Sequence, residues 1–452
     1  MVALKGGLPL EIKHLKELIE EKKFSLIQKE LLELREADIA ELLNEMEAKE
    51  VVLLFRLLPK NSASEVFVYL DVERQTEISE LISEHELKEI IDELCFDDKI
   101  DLIEEVPANI VKKILKNTTT KERTLINQFL NYPEDSAGSL MTIEFVDLKK
   151  EMTVEKAMER IRRIGINKET IYTCYVTDTK RKLEGIVTLK ELVLSDVDKT
   201  VEEIMTAEVI SFNTHDDQES IVRKFKKYDF LTMPVVDLED RLVGIITIDD
   251  VVDVIEEETT EDFQRMAAME PSDEEYLSIP SYLLAKRRVV WLIILMFSAI
   301  VTEFITKTHS SLTTEFAMLV GVMPMLMSTG GNTGSQSSTL IIRGLTLGNI
   351  KFQDFFKIIA KEFKVGIIIG ISLGTLNFLR IWLINNNLKL AIIVGLTLVG
   401  TALMAALIGG ILPVIAKKIK LDPAIMATPL ISTITDATTL LIFFTISAVV
   451  LL

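Results

Sequence analysis

Apolar positions keep three different periods along this chain. Through residues 1–130 they recur at three and four residues, as in Leu31, Leu34, Ile39, Leu42, Leu43 and Met46, which is the period of amphipathic helices. Short breaks fall at Pro59-Lys60-Asn61 and Pro107-Ala108-Asn109, and Leu53–Leu70 resembles Ile91–Val106 as helix, turn, helix. A helical array or superhelix is the natural reading. Over 132–256, short β-branched strands alternate with amphipathic helices. Beyond that, no proline or glycine interrupts the chain until Pro271, so one helix can run there. Apolar runs then occupy 289–306, 316–342, 365–384, 390–416 and 424–452. Each is long enough for a bilayer core needing about 20 residues, so five membrane helices are predicted.

The middle segment holds one motif twice. SLMTIEFVDLKKEMTVEKAMERI (139–161) aligns with EIMTAEVISFNTHDDQESIVRKF (203–225), and IYTCYVTDTKRKLEGIVTLKELV (171–193) with LTMPVVDLEDRLVGIITIDDVV (231–252). Both units end in a strand–Gly–strand hairpin and a helix, KLEGIVTLKEL and RLVGIITIDDV. The doubled pattern resembles a pair of CBS domains. The resemblance implies an adenine nucleotide held by a Thr-x-x-Asp end, which the second unit keeps as Thr247 and Asp250. The first unit has Thr188 and Glu191, where a second carboxylate opposes a phosphate.

Charge divides the chain in two. Residues 281–452 hold 14 Lys+Arg and 6 Asp+Glu, whereas residues 1–280 hold 36 and 63, a net of −27. So acidic a segment disfavours nucleic acid and favours cations. Basic residues mark the cytoplasmic ends of membrane helices. Lys286, Arg287 and Arg288 precede the first run. Arg343, Lys351, Lys357, Lys361 and Lys364 lie between runs two and three, and Lys417, Lys418 and Lys420 between four and five. The alternate loops carry only Lys307 and Lys389. This predicts a multi-pass protein of the cell (inner) membrane, with the acidic part cytoplasmic and the C-terminus outside. The start of the chain is mixed polar and charged, unlike a signal peptide. Cys95 and Cys174 have no paired spacing and the four histidines are scattered, which argues against a disulfide framework or a zinc cluster.

The candidate chemistry sits inside two of the apolar runs. Val322–Ile342 is interrupted by Gly330-Gly331-Asn332-Thr333-Gly334, and Pro429–Thr439 contains Asp436. A broken helix at membrane depth belongs where it is buried in protein or lines a wet cavity. An ionisable residue there is a functional candidate. Pro429, Ser432, Asp436 and Thr439 fall at three- and four-residue spacing, a polar stripe suited to a pore wall, and Glu303 is a second acidic candidate. Oxygen donors without sulfur or imidazole suit a hard divalent cation. Magnesium dehydrates reluctantly and is best recognised with its waters on. After the repeat, carboxylates at 250, 253, 257 and 261 share one helix face, where their repulsion invites a divalent cation or a basic partner. No nucleophile–base pair, P-loop or metal-hydrolase motif occurs, so an enzyme is not expected.

The order of acidic helical domain, CBS pair, acidic linker helix and five spans resembles the MgtE family of magnesium channels over essentially the whole chain. The most specific segments are TGGNTGSQSSTLIIR (329–343), LDPAIMATPLISTITDATTLLIFF (421–444) and EEETTEDFQ (256–264). The fold class this implies is a multidomain membrane protein. An α-helical superhelical N domain (1–131) precedes CBS domains at 132–199 and 200–255, an acidic plug helix (256–280) and an all-α five-helix transmembrane domain (281–452). The resemblance further implies a homodimer in lipid, with a pore on its two-fold axis. Asp436, Asn332, Ser432 and Thr439, with Gly330 and Gly331, would line the pore. It also implies a cytoplasmic Mg2+ sensor of Glu65, Asp97, Asp101, Asp217, Glu219, Asp229, Asp250, Asp253, Glu258, Glu261, Asp262 and Asp422, with ATP as a further ligand. Mg2+ bridging carboxylates of different domains would close the pore and limit uptake. Asp216 and Glu219 are also spaced as a capping box. One position departs from the family pattern, Thr428 before Pro429, where relatives often carry Asn. The competing readings are an ion-coupled divalent cation carrier and a membrane-anchored CBS nucleotide sensor.

Overall fold

In the computed structural model, which describes residues 2–3, 9–10, 12–272, 276–277, 279–426 and 428–451, the helical period of the first part becomes a succession of short helices from Ile12–Glu20 to Thr120–Phe129. Turns of a few residues separate them, several closed by caps. Ser83 accepts the Glu86 amide at 3.2 Å while Glu86 accepts the Ser83 amide at 2.8 Å. Most of them turn a Leu, Ile, Val or Phe stripe inward. The chain divides into two compact units, Met1–Val254 and Ile255–Leu452.

In the first unit, the core of the helical array runs without a break into the second CBS motif, through Phe96, Ile126 and Phe129 to Phe212, Phe225 and Val235. Each motif forms a three-stranded sheet. Val146–Leu148 lies parallel to Thr173–Thr177, which pairs antiparallel with Leu183–Thr188. Phe212–Asn213, Thr232–Val236 and Leu242–Thr247 repeat this order, with an irregularity at the equivalent position of the middle strand. The repeated Met and Gly interlock reciprocally. The Met141 side chain lies against Gly244, where a Cβ would meet its sulfur at 2.7 Å, and Met205 lies against Gly185, where the distance is 2.8 Å. The backbone follows the same exchange. Thr142 pairs with Ile245 by hydrogen bonds of 2.8 and 2.9 Å, and Thr206 with Ile186 by 2.9 and 3.0 Å.

Among the described residues of the second unit, four helical segments are long and apolar enough to cross a membrane: Ser281–Thr308, Phe352–Asn385, Leu388–Lys418 and Pro423–Leu451. A fifth helix, Met323–Thr346, packs against the third and fourth of these. It is rich in Gly, Ser and Thr, which lowers its hydropathy. It is continuous, which corrects the expectation of a break at Gly330–Gly334; the irregular backbone lies before it, in the 3₁₀ turn Ala317–Val322. The glycines serve close packing instead. A Cβ at Gly330 would stand 2.7 Å from Thr439 Oγ1, and one at Gly334 would stand 2.8 Å from Ile431 Cγ2. Helices Phe355–Asn385 and Leu388–Lys418 meet along Gly366, Gly370 and Gly374 in the same way. The first of these starts ten residues before the predicted span, so Lys357, Lys361, Glu362 and Lys364 are helical rather than in a loop.

The tightest contact gives a stability prediction. A Cβ at Gly409 would come 2.2 Å from the Gly334 carbonyl oxygen and 3.1 Å from Ser337 Cβ. Gly409→Ala must therefore push two helices apart. Overpacking costs about 1–3 kcal/mol, and each kcal/mol lowers Tm by about 2–4 °C at this domain size. We expect a clear fall in the melting temperature of the detergent-solubilised protein. An unchanged Tm would refute the close approach.

Candidate functional site

Helix Phe96–Glu105 gathers most of the expected sensor residues that come together. Cys95 is its N-cap residue, and Asp97, Asp98 and Asp101 follow in its first turns. Asp250 reaches the same place from the start of helix Ile248–Met266. There the Thr247 hydroxyl donates to Asp250 Oδ2 at 2.5 Å and the Thr247 amide at 3.3 Å. Asp97 is buried, and its Oδ1 has no hydrogen-bond partner. Burial first, then the fields of Asp250, Asp98 and Glu169, push its pKa up to about 9. Burial followed by neighbouring carboxylates raises Asp98 to about 6 and Asp101 to about 7. Asp250 also reaches about 7, burial outweighing the hydrogen bonds from Thr247. An orphaned buried oxygen among carboxylates that resist ionisation fits a hard divalent cation, which accepts several oxygen ligands.

These shifts carry a sign. Each carboxyl has a higher pKa packed than unpacked, so the packed state binds more protons. Its stability is full at acid pH and is lost as pH rises through about 6 to 9. Without Mg2+, we expect the melting temperature of the protein to fall between pH 6 and pH 9, and added Mg2+ to raise it more at pH 9. Equal Mg2+ effects at both pH values would count against the cluster.

Other expected sensor residues stand elsewhere. Glu65 is largely exposed, and partial burial of its carboxyl, followed by the field of Glu36, raises its pKa. Asp217 caps helix Gln218–Tyr228 by accepting the Glu219 amide at 3.0 Å, and Glu219 pairs with Arg223 at 3.4 Å. The cap is thus Asp217 rather than Asp216, which accepts the Asn213 amide at 3.1 Å. Asp253 is exposed on the linker helix. In the second unit Glu258, Glu261 and Asp262 follow on that helix, and Arg265 there pairs with both Glu261 and Asp422. Arg265, to which no sequence motif points, is a tethered cation lying between two of the expected Mg2+ ligands.

A cavity of about 750 Å3 opens between the CBS motifs. Tyr172, Thr188, Lys190, Thr206, Asp229 and Phe230 are among its lining residues. Thr247 and Asp250, the expected nucleotide residues, are not among them; their hydroxyl and carboxylate bond to each other beside Asp97. Asp229 takes a left-handed conformation, φ 53°, as it ends its helix.

Within the second unit, Asp436 lies partly buried on helix Thr428–Leu451, and among the described residues it makes no hydrogen bond or ion pair. Ser432 stands one turn earlier, and a Cβ at Gly331 would lie 3.2 Å from its Oγ. Thr439 is buried against Gly330 and serves packing. Asn332 is exposed and lines a different cavity, about 460 Å3, with Thr329, Gln336 and Ser372. Asp436 is not among the residues that line that cavity. Threonine hydroxyls along both helices donate to carbonyls one turn back, as Thr333 does to Thr329 at 2.8 Å and Thr433 to Pro429 at 3.0 Å. The side chain of Thr428 lies outside the described residues. Glu362 is buried and accepts the Ser337 hydroxyl at 2.7 Å.

Comparison with known proteins adds the following. Residues 323–446 match a family model described as MgtE, divalent cation transporter, and residues 34–135 match the MgtE intracellular N domain. Residues 137–197 and 201–257 each match the CBS domain. The chain is 37% identical over 443 residues to the magnesium transporter MgtE of Thermus thermophilus, covering 97% of this chain and 98% of that one. It is 30% identical over 422 residues to the magnesium transporter MgtE of Bacillus subtilis, covering 91% and 93%. A crystal structure of the cytosolic domain of the Mg2+ channel MgtE in complex with ATP superposes with a TM-score of 0.51 at 36% identity, covering 54% of this chain and 100% of that one.

Proposed function

Because this chain belongs to the MgtE family of divalent cation transporters, we propose that it is a Mg2+ channel of the cell membrane, closed from inside by Mg2+ itself. The observation that carries this reading is Asp436, a carboxylate without a partner among the described residues, on a helix otherwise built for lipid. Such a charge is costly in hydrocarbon and is retained where an ion passes. Mg2+ keeps its waters, so a site for it needs a wide ring of oxygens rather than a tight cage. One chain offers Asp436 with Ser432 beside it, and a homodimer would present two such pairs across an axis. Asn332 would belong to the same pathway only in that assembly. The soluble units lie in the cytoplasm, and the C-terminus lies outside in the orientation set by the basic loops.

The sensor reading rests on Asp97, Asp101 and Asp250, which would hold Mg2+ between the helical domain and the second CBS motif. Bound there, Mg2+ supplies the positive charge that lets these carboxylates ionise while packed. The expected ligands further along the linker helix, Glu258, Glu261 and Asp262, with Asp422, would add sites in the second unit. Arg265 competes for Glu261 and Asp422. Closure then requires only that the packed state bind more Mg2+ than the separated one.

Currents across a planar bilayer holding the purified protein separate channel from carrier. Mg2+ current that reverses at the Mg2+ equilibrium potential and does not saturate at low flux supports the channel. Obligate exchange with a counter-ion would replace it by a carrier.

The cavity between the CBS motifs supports a further ligand, an adenine nucleotide. Lys190 would meet its phosphates and Asp229 the ribose hydroxyls. A charge-assisted hydrogen bond contributes about 1.5–3 kcal/mol. Lys190→Ala or Asp229→Ala should therefore weaken ATP binding at least tenfold by calorimetry. Unchanged affinity in both would empty the cavity of that role.

A further inference from the structure

We propose that Cys95, Glu144 and Glu169 form a second cation site, for a borderline transition-metal dication of the zinc and cobalt class. None of the three belongs to the expected Mg2+ sensor. Cys95 comes from the turn before helix Phe96–Glu105. Glu144 and Glu169 come from two loops of the first CBS motif, held together by the Glu169 amide donating to the Glu144 carbonyl at 2.9 Å. Cys95 Sγ and one carboxylate oxygen from each glutamate all lie within 4.8 Å of one another. A second set, Cys95 with Asp97 and Asp98, meets the same limit. Tetrahedral zinc holds sulfur at about 2.3 Å and oxygen at about 2.0–2.2 Å. Donors around it stand roughly 3.5 Å apart, so a small contraction closes the set.

Two buried carboxylate oxygens at this place lack a hydrogen-bond partner. Asp97, 8% exposed, has an Oδ1 without a hydrogen-bond partner. Glu169 Oε2 is likewise buried without one. A buried polar atom left unpaired costs about 1–3 kcal/mol, more when charged. Lys99 and Lys168 act on Glu144, but Lys99 already faces Glu122 at 3.6 Å. The carboxylates of Asp97, Asp98, Glu144 and Glu169 therefore outnumber the cations that reach them.

Sulfur decides the metal class. Mg2+ takes oxygen ligands, whereas a thiolate selects softer ions. Burial and the facing glutamates push the Cys95 thiol up, so the free site stays protonated. On binding, the S–H bond breaks, a sulfur–metal bond forms and the proton passes to water. The Mg2+ cluster joins helix Phe96–Glu105 to the second CBS motif. The thiolate site joins the same helix to the first, so a transition-metal dication would fasten the helical domain independently of Mg2+.

The test is a Co2+ titration of the full-length protein in detergent, followed by thiolate-to-cobalt charge-transfer absorption in the near ultraviolet. Wild type should show the band at one equivalent per chain, persisting in excess Mg2+ and erased by Zn2+. Cys174→Ser should keep the band and Cys95→Ser should lose it. Glu169→Gln, which keeps the thiol, should weaken Co2+ binding at least tenfold. No band in wild type, or a band that survives in Cys95→Ser, overturns the site. Neither result touches the Mg2+ flux of the channel.

Discussion

Asp436→Asn is expected to reduce Mg2+ influx at least tenfold while leaving the protein folded. Asparagine keeps the size and an oxygen donor but removes the charge. A hydrogen bond from a hydrated cation to a carboxylate is worth about 1.5–3 kcal/mol, and a dimer would lose two. The fold should tolerate the change, because Asp436 makes no hydrogen bond or ion pair among the described residues. Equal melting temperatures beside collapsed flux would separate a pore role from a structural one. Flux like wild type in Asp436→Asn would remove the proposed selectivity site.

The second large effect is expected at Asp97. Burial and the neighbouring carboxylates push its pKa up to about 9, so at pH 7 without Mg2+ the packed side chain is mostly protonated. Asp97→Asn therefore mimics the resting, protonated side chain, and behaviour at low cytoplasmic Mg2+ should barely change. What is lost is a ligand for Mg2+. Closure should need roughly tenfold more cytoplasmic Mg2+, about 1.4 kcal/mol of lost binding. Asp97→Lys places a fixed cation beside Asp101 and Asp250 and should suppress Mg2+ influx even at low cytoplasmic Mg2+. Both variants can be read from Mg2+-dependent flux. An unchanged closing concentration in Asp97→Asn would show that this cluster does not sense Mg2+.

Much of this was legible in the chain because it lies in periodicity and repetition. The doubled Met and Gly of the CBS motifs are contact partners, Met141 with Gly244 and Met205 with Gly185, so the repeat announced its own packing. The carboxylates of Asp97, Asp101 and Asp250 do converge. Other features depend on which helix faces which. The glycines at 330–334 suit a break or a close approach equally well, and only the neighbouring Thr439, Ile431 and Gly409 decide for approach. Glu362 sits among lysines in sequence, yet Ser337 and Gly410 enclose it. Cys95, Glu144 and Glu169 are spread over 75 residues with no ligand spacing, and the turn into one helix and two loops bring them together. Arg265 is a last-turn cation by its place in the sequence, and its pairing with Asp422, distant along the chain, exists only in the folded unit.

The most direct test of the central claim is Mg2+ influx into proteoliposomes holding the wild-type protein, with the Mg2+ concentration on the cytoplasmic face set low or high. The account predicts rapid influx at low cytoplasmic Mg2+ and its suppression at high. Influx that is absent in both conditions, with folded protein, would contradict the pore; influx that is equal in both would contradict the sensor.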